Sequence, residues 1–408
     1  MPPVFGSPPK ILKDIHDKAK IVGRQAVRNL IITLVETAPL IHPGRNLGSL
    51  CKQAKHCVRG LVFFSESSEW FELLQTPELA EVARNHPYLF QKLQRPYLNR
   101  TLNTRQRLEA LRQHYRFVAA CFSPAIRHEI YATPGKLLAK LSLEKVGNFG
   151  LRLSCSRQEK EGDLVIGLVN LDTGVALFTL AFSITRFETD PKEIFIGGLQ
   201  GNKRANDKDL IISTTRGLHG LRPKALLLFA LQQLAAIWGI TRLRTVSNDM
   251  HIYRHWQKRK HLAASYDEWW IESGGQLADD GMFDLPVGLM PRNISTLKIN
   301  KRQMYKRRYT MLAEIADQIR RASATPCLAA DTKLLKTGTK LDVNTSLNVR
   351  RAHPHTAPTP MAAMERRSPI RRDNHNGLPP FSQRAVKVVW PEKINLACYA
   401  RFLTSTAS

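Results

Sequence analysis

The chain has 408 residues, 43% hydrophobic and 8% aromatic, which is long and apolar enough to bury a sizeable core and excludes a wholly disordered polymer. Its 61 Lys+Arg against 34 Asp+Glu give a net charge of +27, a field that attracts nucleic acid, anionic lipid headgroups or phosphorylated small molecules without choosing among them. Six scattered cysteines (Cys51, Cys57, Cys121, Cys155, Cys327, Cys398) with no CxxC pair exclude a disulfide framework and read as reduced thiols, so the expected compartment is the cytoplasm.

The first segment, "MPPVFGSPPKILKDIHDKAK", lacks an apolar core and a small-residue cleavage site, so no secretory signal is expected. The run "LIITLVETAPLI" is broken by Glu36 and Pro39 and is too short to span a bilayer, which makes any membrane contact peripheral. From about Asp14 to Tyr131 apolar residues recur at helical spacing, as in "IVGRQAVRNLIITLV" and "TRQRLEALRQHYRFVAACF". After Pro134-Gly135 the segments "FGLRLSCS", "GDLVIGLVNLDTG", "VALFTLAFSITRF" and "EIFIGGLQG" are short, rich in Val, Ile, Leu and Phe, and divided by turns such as Asp172-Thr173-Gly174. They predict an antiparallel meander.

An apolar helix "ALLLFALQQLAAIW", a strand "ITRLRTVSN", a short helix "DMHIYRHWQKRK", a Gly-rich connection through "ESGGQLADDG" and a basic helix from about Lys301 to Arg321 follow. A strand-helix-strand order after a meander implies at least one parallel crossover. The expected class is α+β: a helical region over residues 1–135, a mixed, mainly antiparallel sheet with covering helices over 136–325, and a basic tail over 326–408. The tail, rich in Pro, Ser, Thr and Arg, is expected to be mainly disordered.

The stretch "TTRGLHGLRPK" raises a chemical question. Pro223 suits a first helical position, but Arg222 stands where an N-cap acceptor is usual and offers the orphan backbone donors nothing. Between Asp209 and Asp249 there is no Asp or Glu, while Arg216, Arg222, Lys224, Arg242 and Arg244 are present, and Gly217 and Gly220 permit close backbone approach. A bound anion would satisfy donors and dipole together. Water, or an upstream turn, with the helix simply covering the sheet, is the alternative.

Other constellations are less specific. His251 and His255 are spaced i, i+4, a geometry a metal can use, yet no third ligand or HExxH pattern accompanies them and no metal is expected. "HIYRHWQKRKHLAASYDEWW" interleaves cations with Tyr253, Trp256, Tyr266, Trp269 and Trp270, suiting base stacking, a lipid headgroup boundary or core packing. Of Trp269 and Trp270, which point to different faces, one is expected in the core. In the basic helix, Met304, Tyr305, Tyr309, Leu312, Ile315 and Ile319 share a side, so it can dock while presenting Lys301, Arg302, Lys306, Arg307 and Arg308 to anionic lipid or to solvent. No sequence-specific nucleic-acid signature is present, so binding to nucleic acid is expected to be non-specific.

The segments "LQRPYLNRTL", "RLEALRQHYRFV", "LAKLSLEKVGNFGLRLSCS", "EGDLVIGLVN", "TRGLHGLRPKALLLFALQQLA", "TVSNDMHIYRHW", "YDEWW" and "MYKRRYTMLAEI", in this order from about residue 20 to 325, resemble the VirK/YbjX family of Gram-negative bacteria. The resemblance implies a setting rather than a reaction: virulence and envelope traits, including lipid A remodelling and resistance to cationic antimicrobial peptides. The second half is also similar to the acetyl-CoA-dependent N-acyltransferase (GNAT) layout, a meander, a phosphate loop feeding a helix, a strand and a tyrosine-bearing helix. In that superfamily the loop reads Gln/Arg-x-x-Gly-x-Gly/Ala and its backbone N–H groups hold the CoA pyrophosphate.

Here the matching positions are Gly217, Gly220 and Arg222, a departure at the first and last of them. Arg222 either crowds the pyrophosphate or binds it through its side chain. The resemblance implies CoA or acyl-CoA as cofactor, with Gly217, Gly220, Arg222, Lys224 and Asn248 as its contacts. Tyr253 would protonate a leaving thiolate, and His219, His251 or Glu193 would deprotonate an attacking amine or hydroxyl. The expected partners are acyl-CoA or acyl carrier protein and the anionic surface of the inner membrane. A non-catalytic binder of anionic lipid or of envelope-assembly partners is the competing expectation.

Overall fold

The computed structural model describes residues 24–156, 160–201, 208–253 and 266–323. All belong to a compact unit spanning residues 1–338, and the second unit, 339–408, lies outside the described residues, as does the expected disordered tail. Helices α1 (Arg24–Ile41), α2 (Leu47–Val62), α3 (Phe64–Leu74), α4 (Ala80–Asn85), α5 (Leu89–Lys92), α6 (Thr104–Cys121) and α7 (Pro124–Ala132) come first, as the 3.6-residue periodicity predicts. Sequence chemistry sets several starts: Asn103 and Gln106 form a capping box on α6, and Ser123 caps α7 with Pro124 in its first turn.

The meander follows as β1 (Lys136–Leu143), β2 (Gly147–Cys155), β3 (Leu164–Asn170), β4 (Ala176–Arg186) and β5 (Glu193–Gly201), paired antiparallel in sequence order. Strand β1 is an addition to the expected set; "KLLAKLSL" carries lysines that mask its alternation, and its pairing with β2 supplies the partner. At the β3–β4 turn Asn170 Oδ1 accepts from the Asp172 and Thr173 N–H groups, and Gly174 takes φ +70°. Seven of the nine β5 residues are buried, the mark of a central strand covered on both faces.

Two helices, α8 (Lys208–Gly217) and α9 (Pro223–Ile237), then lead to β6 (Arg242–Thr245), which pairs parallel with β5, the expected crossover. The last elements are α10 (Tyr266–Glu272), the short strands β7 (Gln276–Leu277) and β8 (Phe283–Leu285), and the basic helix α11 (Ile299–Ser323). The sheet order is β1-β2-β3-β4-β5-β6-β8-β7. Strands β7 and β8 lie in the stretch expected as a Gly-rich connection; too short to show periodicity, they are formed by pairing with β6. Two further expectations are corrected. "TTRG" is the end of α8 rather than a loop, and Asp249–Tyr253 form turns rather than a helix, while Arg254–Lys260 lie outside the described residues.

One apolar core joins the helical region to the sheet. Helix α6 packs on β4, α7 on β1 and β2, α9 on β3 and β4, and α11 on β1 and α9 through buried Leu312, Ile315 and Ile319, the side that its spacing selects. Trp269 and Trp270 are both buried, not one alone, because α10 is wedged into the sheet rather than laid over it. Cys51, Cys57 and Cys155 are free thiols, whereas Cys121 is disulfide-bonded, contrary to the expectation of thiols throughout; spacing along the chain does not determine which cysteines approach in space. Among the described residues no helix is long and apolar enough to cross a membrane.

Candidate functional site

The parallel pair β5–β6 holds register from Glu193↔Arg242 to Ile196↔Thr245 and then parts. Parting begins at a bulge: β4 pairs Ala181 with Gly198 and Phe182 with Ile196, leaving Gly197 as the extra residue. Beyond it the main-chain groups facing the gap are met by aromatic side chains of α10. The Tyr266 hydroxyl lies 3.4 Å from the Leu199 N and donates to the Leu199 O at 3.2 Å, and Trp270 Nε1 donates to the Val246 O at 3.0 Å. A side-chain wedge thus stands where a neighbouring strand would otherwise pair. Burial pushes the Tyr266 phenol well up, so this hydroxyl is a neutral donor across the physiological range.

Three of the sequence-predicted residues meet beside this gap. Asn248 Oδ1 accepts from the Tyr266 N–H at 2.9 Å while the Asn248 N–H donates to Asp267 Oδ1 at 2.8 Å, a reciprocal cap that starts α10. His251, fully buried, stacks on Tyr266 with ring centroids 5.3 Å apart and planes 18° apart, and its Nδ1 accepts from the Tyr253 N–H at 3.3 Å. Tyr253 is half-buried, with Lys160 Nζ 5.6 Å from its ring centroid.

A residue that sequence reasoning missed completes the group. Glu161, with no exposed side-chain surface, places Oε1 3.4 Å from His251 Nε2 and accepts from Gln200 Nε2 at 2.7 Å on each oxygen. It reaches the bulge because Gly197 and Gly198 carry no side chains: a Cβ on Gly197 would stand 2.1 Å from the Glu161 O, and one on Gly198 2.2 Å from Oε2. "QEKEGD" reads as a solvated charge run, and nothing local marks one of its acids as buried.

Its loop is anchored two residues on. Asp163 is buried and receives Lys92 Nζ at 2.5 Å, the Ser183 hydroxyl at 2.8 Å and the Tyr115 hydroxyl at 3.0 Å, with a further short bond from Tyr97. Burial works to raise this carboxyl, but the Lys92 and His114 charges and the hydrogen bonds from Lys92 and Tyr97 outweigh it and hold it down at about 2.

The other predicted residues lie elsewhere. Gly217, His219 and Gly220 form the turn that closes α8: the Leu218 N–H donates to the Thr214 O, the His219 N–H to the Arg216 O, the Gly220 N–H to the Thr215 O and the Leu221 N–H to the Leu218 O. His219 and Gly220 sit at φ +51° and +75°, and Arg308 of α11 donates twice to the His219 O, at 3.0 and 2.8 Å. These backbone donors are therefore spent within the turn instead of pointing at a pyrophosphate, a correction to the glycine-loop expectation. The sequence reads as a ligand loop because a helix C-cap and a phosphate loop call for the same glycines. The His219 side chain lines a separate cleft of about 620 Å³ between the β1–β2 hairpin and α11.

Glu193 is also corrected as a base for this site. It sits at the opposite end of β5, roughly 20 Å from Gln200 by strand rise, and holds Thr185 Oγ1 at 2.6 Å and Arg242 at 3.6 Å. The acid-free stretch between Asp209 and Asp249 is not acid-free in space. Arg242 pairs with Asp284 at 3.0 Å, Arg244 with Asp280 at 2.5 Å and Arg222 with Glu272 at 2.7 Å.

Arg222 is the N-cap of α9 with no side-chain cap bond, as expected. Among the described residues Arg216 and Lys224 have no carboxylate partner. They rim an apolar cleft of about 390 Å³ with Arg222, over walls of Phe178, Ile211, Ile212, Pro223 and Trp269. Burial and neighbouring Arg222 lower the Lys224 ammonium from its ordinary value. No group of metal-ligating side chains occurs among the described residues, and His255 lies outside them.

Sheet order, parallel crossover and wedged helix together define an α+β protein, a mixed, mainly antiparallel eight-stranded sheet with covering helices. Residues 45–321 match the family described as "Protein of unknown function (DUF535)", and the chain belongs to that family, the VirK/YbjX family. It is 32% identical to the "Uncharacterized protein YbjX" of Escherichia coli (strain K12) over 77% of this chain and 97% of that one. An "Uncharacterized protein" of Haemophilus influenzae is 26% identical over 60% of this chain and 80% of its own length. Among solved structures, a mutant of the cAMP-binding acyltransferase from Mycobacterium smegmatis aligns over 51% of this chain and 65% of that one, with a TM-score of 0.24 and 12% identity, a likeness on which nothing here rests.

Proposed function

We propose that the protein transfers an acyl group from a CoA or carrier-protein thioester to an amine or hydroxyl of an envelope precursor. The observation that carries this reading is the gap between β5 and β6. Its Leu199 N–H and C=O are held by an exchangeable hydroxyl at 3.4 and 3.2 Å, not by a strand. The amides of a pantetheine arm can replace that hydroxyl at little net cost, because one hydrogen bond is exchanged for another. Arg216, Arg222 and Lys224 would hold the donor's phosphates through side chains, with Pro223 and Trp269 as the apolar floor. CoA supplies the activated thioester; the protein supplies orientation, desolvation and proton handling.

The test is thermal stability of the full-length chain with octanoyl-CoA, because a ligand that binds only the folded state raises Tm. The parent should shift upward, and Arg216→Glu together with Lys224→Glu should abolish the shift. No shift at saturating octanoyl-CoA would sink the reading.

A second reading, contact with an anionic membrane surface, is favoured by a separate observation. Met290 and Ile299 are 76% and 82% exposed, in a stretch from Leu285 to Ala313 that holds no Asp or Glu and seven Lys or Arg. Each cation near such a surface contributes about 1 kcal/mol. Met290→Asp with Ile299→Asp should lower co-sedimentation with vesicles rich in anionic lipid; unchanged binding would move the contact off this face. The two readings are compatible, since an envelope precursor is itself at a membrane.

A further inference from the structure

We infer that Glu161 is the positioning residue of a Glu161–His251 pair that accepts the proton in the transfer, with His251 Nδ1 as the accepting atom. The identity of the reaction rests on the acyl-transfer reading; the pair itself rests on geometry.

The tautomer follows from the hydrogen bonds. The Tyr253 N–H donates to Nδ1 at 3.3 Å, so that nitrogen carries a lone pair and the neutral ring bears its proton on Nε2. Nε2 is a buried atom with no hydrogen-bond partner, and the nearest charged group is Glu161 Oε1 at 3.4 Å. A proton aimed at a buried carboxylate without a formed bond is the arrangement that tightens when the ring becomes an imidazolium. The weak bond at Nδ1 is one that an acceptor's N–H or O–H can replace. Tyr266 covers the face of the ring, and a donor that takes the place of its hydroxyl at Leu199 lies against His251.

Glu161 contrasts with Asp163. Asp163 has a buried cation, Lys92, and three hydroxyls, an ion pair satisfied on every side. Glu161, equally buried, has Gln200 and His251 among the described residues. Holding a carboxylate against one neutral amide is costly unless a second charge appears beside it, and a glutamine would fill the same space without that cost. The charge that appears is the protonated His251. Other groups facing the ring are Tyr266 from α10, Tyr253 on its own turn and, over the Tyr253 ring, Lys160.

The step balances within the pair and the two substrates. The acceptor's nitrogen or oxygen forms a bond to the thioester carbonyl carbon, and its proton passes to His251 Nδ1. The C–S bond then breaks, and the imidazolium returns that proton to the departing sulfur as a thiol. As the imidazolium forms, its Nε2–H closes on Glu161 Oε1, 3.4 Å away in the resting state, which keeps the ring from turning.

The experiment uses the full-length chain. Long-range proton–nitrogen NMR of the imidazoles should report His251 as the Nε2–H tautomer in the parent, and this measurement needs no variant. In Glu161→Gln that tautomer should persist, because the Tyr253 N–H still donates to Nδ1, so the loss is read in turnover. With octanoyl-CoA as probe and water as acceptor, thiol release should fall about 100-fold in kcat with KM little changed, the range expected when general-base catalysis is lost. A parent ring protonated on Nδ1, or a Glu161→Gln chain with unmoved kcat, overturns the proposal. If the parent shows the Nε2–H tautomer while octanoyl-CoA neither binds nor is cleaved, the pair stands and the acyl-CoA donor alone is overturned.

Discussion

Replacing Tyr266 with Phe removes one oxygen and leaves the ring stacks with His251 and Trp270, at 5.3 and 6.1 Å between centroids, sterically intact. It also strips the Leu199 N–H and C=O of the hydroxyl that serves both, at a residue only 4% exposed. Leaving a buried backbone group unpaired costs about 1–3 kcal/mol; bonds as long as 3.2 and 3.4 Å place the pair of losses near 2 kcal/mol in total. For a folded unit of this size that is a fall in Tm of roughly 3 °C. Differential scanning calorimetry of parent and variant, each with and without octanoyl-CoA, reads the result directly. If the pantetheine amides take over the Leu199 groups, the bound states of parent and variant are alike, so the variant gains more from the ligand than the parent by about the amount it lost. A variant that melts with the parent shows that the hydroxyl supports nothing. One that is destabilised but gains no more from octanoyl-CoA refutes Leu199 as the ligand's anchor.

Removing the buried ammonium in Lys92→Met leaves Asp163 charged and unpaired and should cost about 3–5 kcal/mol in chemical denaturation; Lys92→Met with Asp163→Asn should cost clearly less than the two single changes added together. Stability should fall on acidification in two stages. Burial holds His56 and His114 down at about 4, so each favours the folded state above its unfolded value near 6.5, and that contribution, roughly 3 kcal/mol for each fully depressed group, is lost as pH falls from about 6.5 to 4. Asp163, depressed to about 2, contributes above its unfolded value and loses that contribution as pH falls from about 4 to 2; a urea series from pH 7 to pH 3 that shows no decline would contradict both assignments. Gly197→Ala places a Cβ 2.1 Å from the Glu161 carbonyl oxygen, a backbone atom that cannot swing aside, and should destabilise by about 1–3 kcal/mol or more, whereas Gly174→Ala, with open space around its Cβ, should cost only the strain of its positive φ, read in the same denaturant series.

Local chemistry was legible wherever its causes are local. The 3.6-residue spacing from Arg24 to Ala132, the alternation of the meander, Pro223 opening α9 and Arg222 as an empty cap are all readable, because each depends on neighbours within a few residues. The parallel crossover followed from element order alone, and the docked side of α11 followed from its apolar spacing. Of the candidate site, His251 and Tyr253 were legible as chemistry-bearing residues, and Asn248 as one that belongs with them.

Only the tertiary structure decided what those residues face. The charges of Arg242 and Arg244 are answered by Asp284 and Asp280, which stand far along the chain and arrive through β8 pairing on β6. The glycines of the α8–α9 turn spend their donors on a helix end, and α11 covers the turn from a position some ninety residues later. Glu161 and His251 are likewise far apart in the chain, and they meet because a bulge at Gly197 opens a seat for the carboxylate where two parallel strands part. Periodicity and capping record the interactions of a residue with its own segment. A buried ion pair is decided by which segments the sheet brings together, and nothing in either segment alone encodes the other's approach.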